Sequence, residues 1–578
     1  MKDTSNANCR ELLDVLTAQG VHDVVASPGS RNTPLLLGAS ARQDLRLRMI
    51  NDERTAGFYA LGLAMATQSP VALMCTSGTA LYNYAPAVAE AFYQRVPLIV
   101  ISADRPAQWI DQDDSQTLHQ PEALDKIVKK SFDIPPETGM SAPCRNPGYL
   151  TEREWFVNRI ANEAVLTATG GMPGPVHINI QFGEPLGTTS DYLQCSPRTI
   201  RVIRNTSGLP PHLLREICCR LMEKRVMVVA GFMPPDHELN KAILEFANMP
   251  NVTLLCETLS NIHTDRCEFM IDSLLCGMSN KQKVDLMPDI VITIGGALVS
   301  RMLKEYLRGA STLEHWTLND TDLSVDALQH LTTHIDIAPA KFFRGAASMM
   351  RHLSRKGVRT LYPEYNLAWK DMREDGSGRL RRYVEAAPWS ELKGLDIFFR
   401  RLDPRVNLFL SNGTCVRYAQ LLTERLCHAC FSNRGVSGID GTNATAAGIA
   451  AGFKGTTILL TGDVSFAYCP EVLNPKVTDS DLRIVVVNNN GGGIFRFIRT
   501  TRDLDERERL FCSPPALPLE KLAEAYGWNY IPVNDEVGMQ EAMTRLQSTP
   551  RTIVELFADA DISAAALISL LAPQSHKI

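Results

Sequence analysis

Short apolar runs rich in β-branched residues alternate with longer amphipathic or alanine-rich stretches along most of this chain. In the N-terminal third, Asp23–Ala26, Arg46–Ile50, Pro70–Cys75, Pro97–Ser102 and Pro175–Ile180 read as strands. Cys9–Gln19, Asn32–Ala41, Asp52–Thr67 and Thr79–Tyr93 read as the helices between them. Continuously apolar strands separated by helices imply a parallel sheet covered on both faces. A second alternation begins near Arg225 (VMVVAGF), passes through Asn251–Cys256 and Asp289–Gly295, and ends near Met350. A third has strands near Val406–Leu410, Thr456–Leu460, Arg483–Val487, Tyr530–Val533 and Thr552–Leu556. The polar, irregular stretch Arg355–Glu391 reads as a linker. The expectation is an α/β protein of three doubly wound parallel-sheet domains: residues 1–187, 188–354 and 391–578, with a linker over 355–390. No repeat of solenoid period is present.

Composition narrows the class. A chain of 578 residues is too long for one core, and 45% hydrophobic with 21% charged residues is ordinary for a soluble globular protein. A net charge of −5 gives no reason to expect nucleic acid or an acidic membrane surface. The start, MKDTSNANCRELL, lacks an apolar signal core, and no run reaches transmembrane length, so a cytoplasmic protein without membrane insertion is expected. Several of the 14 cysteines, Cys75, Cys218, Cys219 and Cys256 among them, fall at expected core positions, as free thiols do in reduced compartments. Cys427-His428-Ala429-Cys430 is a lone CxxC. With no second pair nearby, a helix end running into a strand is a simpler reading than zinc or redox chemistry.

Candidate chemistry concentrates at strand ends. The run Thr456–Leu460 stops at Thr461-Gly462-Asp463, and Ile484–Val487 stops at Asn488-Asn489-Asn490-Gly491-Gly492-Gly493. Parallel strands set such loops side by side at the carboxyl edge of the sheet, where α/β proteins bind ligands. A carboxylate, amide oxygens and glycine-bared backbone are hard donors suited to Mg²⁺ carrying a diphosphate. In the first domain, Ser27-Pro28-Gly29-Ser30-Arg31, Asn51-Asp52-Glu53-Arg54 and Thr76-Ser77-Gly78-Thr79-Ala80 end neighbouring strands. Each alone reads as a turn or a helix cap; together they put a carboxylate, an arginine and bare backbone on one rim.

A strand-end glutamate in one α/β unit joined to G-D-x…N-N in another resembles thiamine-diphosphate enzymes of the pyruvate decarboxylase and acetohydroxyacid synthase type. Pro28–Arg31, Asp52–Arg54, Thr76–Ala80, Ala103–Pro106, Ser432–Gly435, Ser437–Gly441 and Asn488–Gly492 together resemble the menaquinone-pathway synthases of that superfamily. The match spans both terminal domains; the middle one is similar only in pattern. The resemblance implies pyrimidine-binding, central and diphosphate-binding domains, with active sites at the subunit interface of a homodimer or homotetramer. It assigns thiamine diphosphate to Glu53, Gly78, Gly413, Thr414, Ser437, Ile439, Asp463, Val464, Ser465 and Ile494. It assigns Mg²⁺, or Mn²⁺, to Asp463, Asn489 and the Gly491 carbonyl, with Asn490 the alternative asparagine.

The implied substrates are 2-oxoglutarate and isochorismate, joined by decarboxylation and 1,4-addition. Four carboxylates call for arginine's bidentate fork, and Arg31, Arg105, Arg301, Arg417 and Arg434 are the candidates. Ser115 and Gln116 join them as polar contacts, and Phe495 and Ile498 join Ile494 as an apolar wall. Glu53, Ser30 and Gln116 are the candidate catalytic residues. The sequence departs from the family pattern at Val464 (often glycine), Ser115 (asparagine), Gly413 (serine, with Thr414 offering a hydroxyl instead) and Arg301 (lysine). Two rival readings stand beside this one: another thiamine-dependent 2-oxo-acid decarboxylase or carboligase with a different acceptor, and a non-catalytic binding protein that keeps the fold.

Overall fold

The computed structural model describes residues 2–137, 150–193, 195–203, 208–263, 267–319, 325–423, 428–514 and 517–572. The first sheet comprises β1 (Asp23–Ala26), β2 (Arg46–Met49), β3 (Val71–Cys75), β4 (Leu98–Asp104), β5 (Ser131–Ile134) and β6 (Val176–Gln181), in the order β2-β1-β3-β4-β6-β5. All its pairings are parallel. The second sheet comprises β7 (Val226–Ala230), β8 (Val252–Cys256), β9 (Ile290–Ile294), β10 (Glu314–Asn319) and β11 (Leu331–Asp336), in the order β8-β7-β9-β10-β11. The third comprises β12 (Asn407–Leu410), β13 (Ala429–Phe431), β14 (Thr457–Gly462), β15 (Leu482–Asn488), β16 (Asn529–Val533) and β17 (Thr552–Phe557), in the order β13-β12-β14-β15-β17-β16. The first and third sheets therefore repeat one strand order, and each reverses direction between its first and third strands.

The central strands are those the sequence announces, because their residues are buried on both faces: Val71–Cys75 and Leu98–Asp104 are buried throughout. The strand expected at the end of the Cys427–Cys430 stretch is β13, whereas β5, β10 and β11 were not anticipated. Two of them, β5 and β11, lie at sheet edges, where burial falls to alternate or scattered positions. The helix Glu152–Thr169 was also missed, although Thr151 and Glu154 form a reciprocal capping box at its start.

The helices that matter below are α1 (Glu53–Thr67), α2 (Ala85–Gln94), α3 (Tyr365–Ala386), α4 (Glu391–Arg401), α5 (Cys415–Leu422) and α6 (Thr442–Gly452). Helix α3 corrects the expectation of an irregular linker over 355–390. Its polar composition hides Trp369, Met372, Leu380 and Val384, which fall on one face and are buried. Trp369 and Met372 join a core cluster of the second sheet, whereas Leu380 and Val384 join the core of the third. Cys75, Cys218 and Cys256 are buried free thiols and Cys219 is a half-buried one. Cys195 is disulfide-bonded. Cys430 lies in β13, while Cys427 falls outside the described residues. No helix among the described residues is long and apolar enough to cross a membrane.

By contacts the chain divides into two compact units: residues 1–204 with 433–457 and 468–482, and residues 205–432 with 458–467 and 483–578. In the first unit α1 and α6 pack backbone against backbone. A Cβ on Gly62 would overlap the Thr445 carbonyl, and one on Gly448 would overlap the Tyr59 carbonyl. That contact seats α1, whose first residue is Glu53. In the second unit Asn261 bridges two cores, donating to the Cys430 carbonyl at 2.9 Å and accepting from its N–H at 2.7 Å. Substituting alanine at Gly62 or Gly448 is expected to destabilise the protein by about 1–3 kcal/mol through overpacking. A lowered thermal unfolding midpoint in both variants checks this; an unchanged midpoint refutes the close packing.

Candidate active site

In the first unit the loops after β1, β3 and β4 meet at the point where strand order reverses, the place where open α/β sheets leave a ligand crevice. Helix α1 begins beside them. Asp52 caps it, accepting from Thr55 N at 2.7 Å, so the next side chain, Glu53, leaves from the first turn half-buried. Its charge reaches Cys75 and Tyr84 at and beyond the end of β3. Both of these groups are pushed well up, chiefly by burial and in part by Glu53. Gly78 donates its N–H to Gln120 Oε1 at 2.7 Å. Thr76 Oγ1 and Ser77 Oγ beside it are buried hydroxyls with no hydrogen-bond partner among the described residues. Such orphans at a loop of small residues fit a site that takes a polar ring.

Arg105 Nε donates to the Ser115 carbonyl at 2.8 Å and pairs with Asp114 Oδ2 at 3.0 Å; its NH2 reaches Ser115 Oγ at 3.2 Å. The structure thus brings Arg105 and Ser115 together, with Gln116 packed directly over Gly78. Arg31 is buried, donating to the Phe182 carbonyl at 3.0 Å and pairing with Glu184 at 3.2 Å, while Ser30 beside it is exposed. Arg434 and Ile439 are half-buried, and Ser437 is exposed with φ +63°. Their segment is held by Glu90 on α2, a buried carboxylate that accepts from Gly435 N at 2.5 Å and Val436 N at 2.8 Å.

Beneath this rim lies a buried polar network. Gln120 donates to the Ala103 carbonyl at 3.1 Å and to Asn179 Oδ1 at 3.0 Å. Asn179 Oδ1 also accepts from Ser102 at 2.9 Å, and Asn179 Nδ2 donates to Asp104 at 3.0 Å and Asp133 at 2.8 Å. Burial pushes Asp104 up to about 6, offset by the bonds from Asn179 and Arg105 N, and burial pulls His177, bonded to Ser102, down to about 4.

In the second unit the same reversal in the third sheet lies between β12 and β14. Ser411 Oγ, after β12, meets Ser465 Oγ, after β14, at 3.1 Å. Gly413 and Thr414 lead into α5, where Arg417 donates to the Gly413 carbonyl. Asp463 is buried. Its Oδ1 accepts from Val464 N at 2.7 Å and its Oδ2 from Gly491 N at 2.8 Å, which ties the loop after β14 to the loop after β15. Burial raises its carboxyl and those backbone N–H groups oppose the rise. Asn489 is buried: Nδ2 donates to Glu391 Oε1 at 2.7 Å and Oδ1 accepts from Gly493 N at 3.2 Å. Asn490, exposed with φ +59°, lines a polar cavity of about 50 Å³ with Asp463, Asn488 and Glu555.

A buried carboxylate, amide oxygens and a turn of bare backbone form an oxygen-only donor set that fits a small hard cation with a diphosphate. Ile494, Phe495 and Ile498 are half-buried in the turn that follows, with the Phe495 ring 5.3 Å from that of Phe511. Arg301 stands apart in character: its side chain is 78% exposed on the first turn of its helix and pairs with Glu305. Among the described residues no cluster of three or more His, Cys, Asp or Glu side chains could hold a metal by itself.

Sequence reasoning missed Gln120, Glu90, Ser411 and Glu391. Of these, Glu90 had a legible signal: an acid on the buried stripe of α2 with Val88 and Ala91, where only a satisfied carboxylate is tolerated.

A glutamate in the first unit and an Asp–Asn loop pair in the second are the groups that the resemblance to thiamine-diphosphate enzymes implies. Residues 10–124 match the family described as "Thiamine pyrophosphate enzyme, N-terminal TPP binding domain". Along nearly its whole length the chain is similar to proteins named 2-succinyl-5-enolpyruvyl-6-hydroxy-3-cyclohexene-1-carboxylate synthase. It is 39% identical to the one from Porphyromonas gingivalis over 90% of this chain and 88% of that one. Identity is 34% to that of Bacteroides fragilis over 97% of each chain, and 35% to that of Desulfotalea psychrophila over 94% and 96%. This chain belongs to the 2-succinyl-5-enolpyruvyl-6-hydroxy-3-cyclohexene-1-carboxylate synthase family.

The Asp104 carboxyl sits above its ordinary 3.8. Stability tied to its protonated form is therefore full below the unfolded value and lost as pH rises through about 6. D104N is expected to gain in unfolding midpoint relative to the unsubstituted protein between pH 4 and 7. The comparison cancels His177, which titrates in the opposite sense. A pH-independent difference would refute it.

Proposed function

We propose that this chain is a thiamine-diphosphate- and Mg²⁺-dependent synthase of menaquinone biosynthesis. It decarboxylates 2-oxoglutarate and adds the remaining unit 1,4 to isochorismate, giving 2-succinyl-5-enolpyruvyl-6-hydroxy-3-cyclohexene-1-carboxylate. What carries the reading is full-length kinship with synthases of that name, together with acidic and amide groups at the strand reversals of the first and third sheets. Thiamine diphosphate would supply the electron sink for the pair left at C2 when C1 departs as CO₂.

The chain's own residues then have separable tasks. Asp463, Asn489 and the Gly491 carbonyl would hold Mg²⁺, or Mn²⁺ in its place, with Ser465 and Thr414 near the diphosphate. Glu53 would share a proton with the ring nitrogen N1′ of the aminopyrimidine, its place at the start of α1 fixed by the α1–α6 contact. Gly78 and Gly413 leave backbone bare for a flat ring, and Ile439 would support the cofactor from the apolar side. Arg31, Arg105, Arg417, Arg434 and Arg301 would pair with the substrate carboxylates. Arg105 is already aimed by Asp114 and Ser115. Ser30 and Gln116 would position water or a transferred proton, while Ile494, Phe495 and Ile498 exclude bulk solvent. Glu53 and the Asp463–Asn489 loops belong to different units of the chain, which suits active sites completed between subunits of a homodimer or homotetramer. A cytoplasmic setting fits these soluble substrates.

Purified protein should release CO₂ from 2-oxoglutarate with thiamine diphosphate and Mg²⁺, at full rate only when isochorismate is present. Full turnover without isochorismate would sink the synthase assignment in favour of a decarboxylase or another carboligase. E53Q is expected to lower kcat by about 10²- to 10⁴-fold while metal-dependent cofactor binding, read by calorimetry, persists. Unchanged kcat would remove Glu53 from the mechanism.

A further inference from the structure

The Asn489 amide is gripped at both ends by groups of opposite hydrogen-bonding character. Its nitrogen donates to Glu391 Oε1 at 2.7 Å; its oxygen accepts from Gly493 N at 3.2 Å. Glu391 opens α4, far away in sequence, and its own N–H is held by Ser563 Oγ at 3.0 Å. The Tyr418 hydroxyl also bonds its carboxyl, so both α4 and α5 fix it. Gly493 completes the slot: a Cβ there would overlap Asn489 Nδ2 and lie 3.2 Å from Glu391 Oε1.

A carboxylate buried this way is costly. An apolar side chain would fill the space without that cost. What the carboxylate supplies is direction. An ionised carboxylate only accepts, so it selects the amide orientation whose nitrogen faces it. The flipped amide would set oxygen against oxygen at Glu391 and N–H against N–H at Gly493. Only the observed orientation leaves an oxygen lone pair for a cation.

We propose that Glu391 is the positioning residue of the metal site, holding Asn489 in the one orientation that presents Oδ1 rather than Nδ2 to the divalent cation. This rests on the assignment of Asn489 to the metal made above. It explains a buried acid that no part of the substrate chemistry uses.

The test is Mn²⁺ binding to the full-length protein with thiamine diphosphate, followed by electron paramagnetic resonance. The variants are N489A, E391Q, E391A and the E391A/N489A double variant. E391A is expected to weaken Mn²⁺ about 10- to 100-fold, the range for a residue that orients a metal ligand. E391Q, whose amide oxygen can still accept from Nδ2, should stay within about threefold. Added to N489A, E391A should cost little more, because coupled residues are not additive. Unweakened binding by E391A, a full additional loss in the double variant, or equal loss in E391Q and E391A each overturns the proposal. Should E391A fail to fold, E391L, which keeps the space filled, takes its place with the same expectation. If N489A alone binds Mn²⁺ normally, it is the assignment of Asn489 to the metal that fails, a distinct outcome.

Discussion

Two loops leaving neighbouring parallel strands can form one site only if something fixes the gap between them. In the third sheet that constraint is the Asp463 carboxylate, which receives Val464 N from its own loop and Gly491 N from the next. Each bond is modest alone, but a buried carboxylate without both would be strongly destabilised. The tie therefore sets the spacing of the β14 and β15 loops before any ligand arrives. Ser411–Ser465 does the same on the other side of β14 and Glu391–Asn489 beneath β15. The site is preorganised by polar groups that would otherwise be a liability.

The first sheet solves the same problem with different parts. Its order repeats that of the third, but its loops are spaced by Gln120 and Asn179, neutral amides that can both give and accept, rather than by a carboxylate. The second sheet shows what a reversal looks like when it is closed. Glu257 fills the start of the helix after β9, accepting from Val299 N at 2.7 Å and Ser300 N at 2.8 Å, and Gly296 N bonds the Phe232 carbonyl at 2.7 Å across the two loops. A protein carboxylate stands where a phosphate would.

What the sequence made legible follows burial. Strands buried on both faces, such as β3 and β15, declare themselves as β-branched runs, and glycine-rich loops at their ends declare the crevices. Strands with scattered burial, such as β11, carry too little apolar signal. Helix α3 was obscured by its charges and by Gly376 and Gly378, yet its apolar residues keep helical spacing. The loops of the site were legible for the same reason as the strands, since Asp463 and Asn488–Gly493 have local signatures. Gln120 and Glu391 do not. Each acts through hydrogen bonds to residues distant in sequence, and no window of neighbours records that.

Helix α3 has a consequence for how such chains can change. Its first half is rooted in the second sheet's core through Trp369 and its last half in the third's through Leu380 and Val384. A boundary drawn anywhere along it would leave one hydrophobic core without a wall. The second and third sheets are thus not interchangeable cassettes, and recombination between relatives would preserve the pair only by carrying the helix and both of its anchorages together.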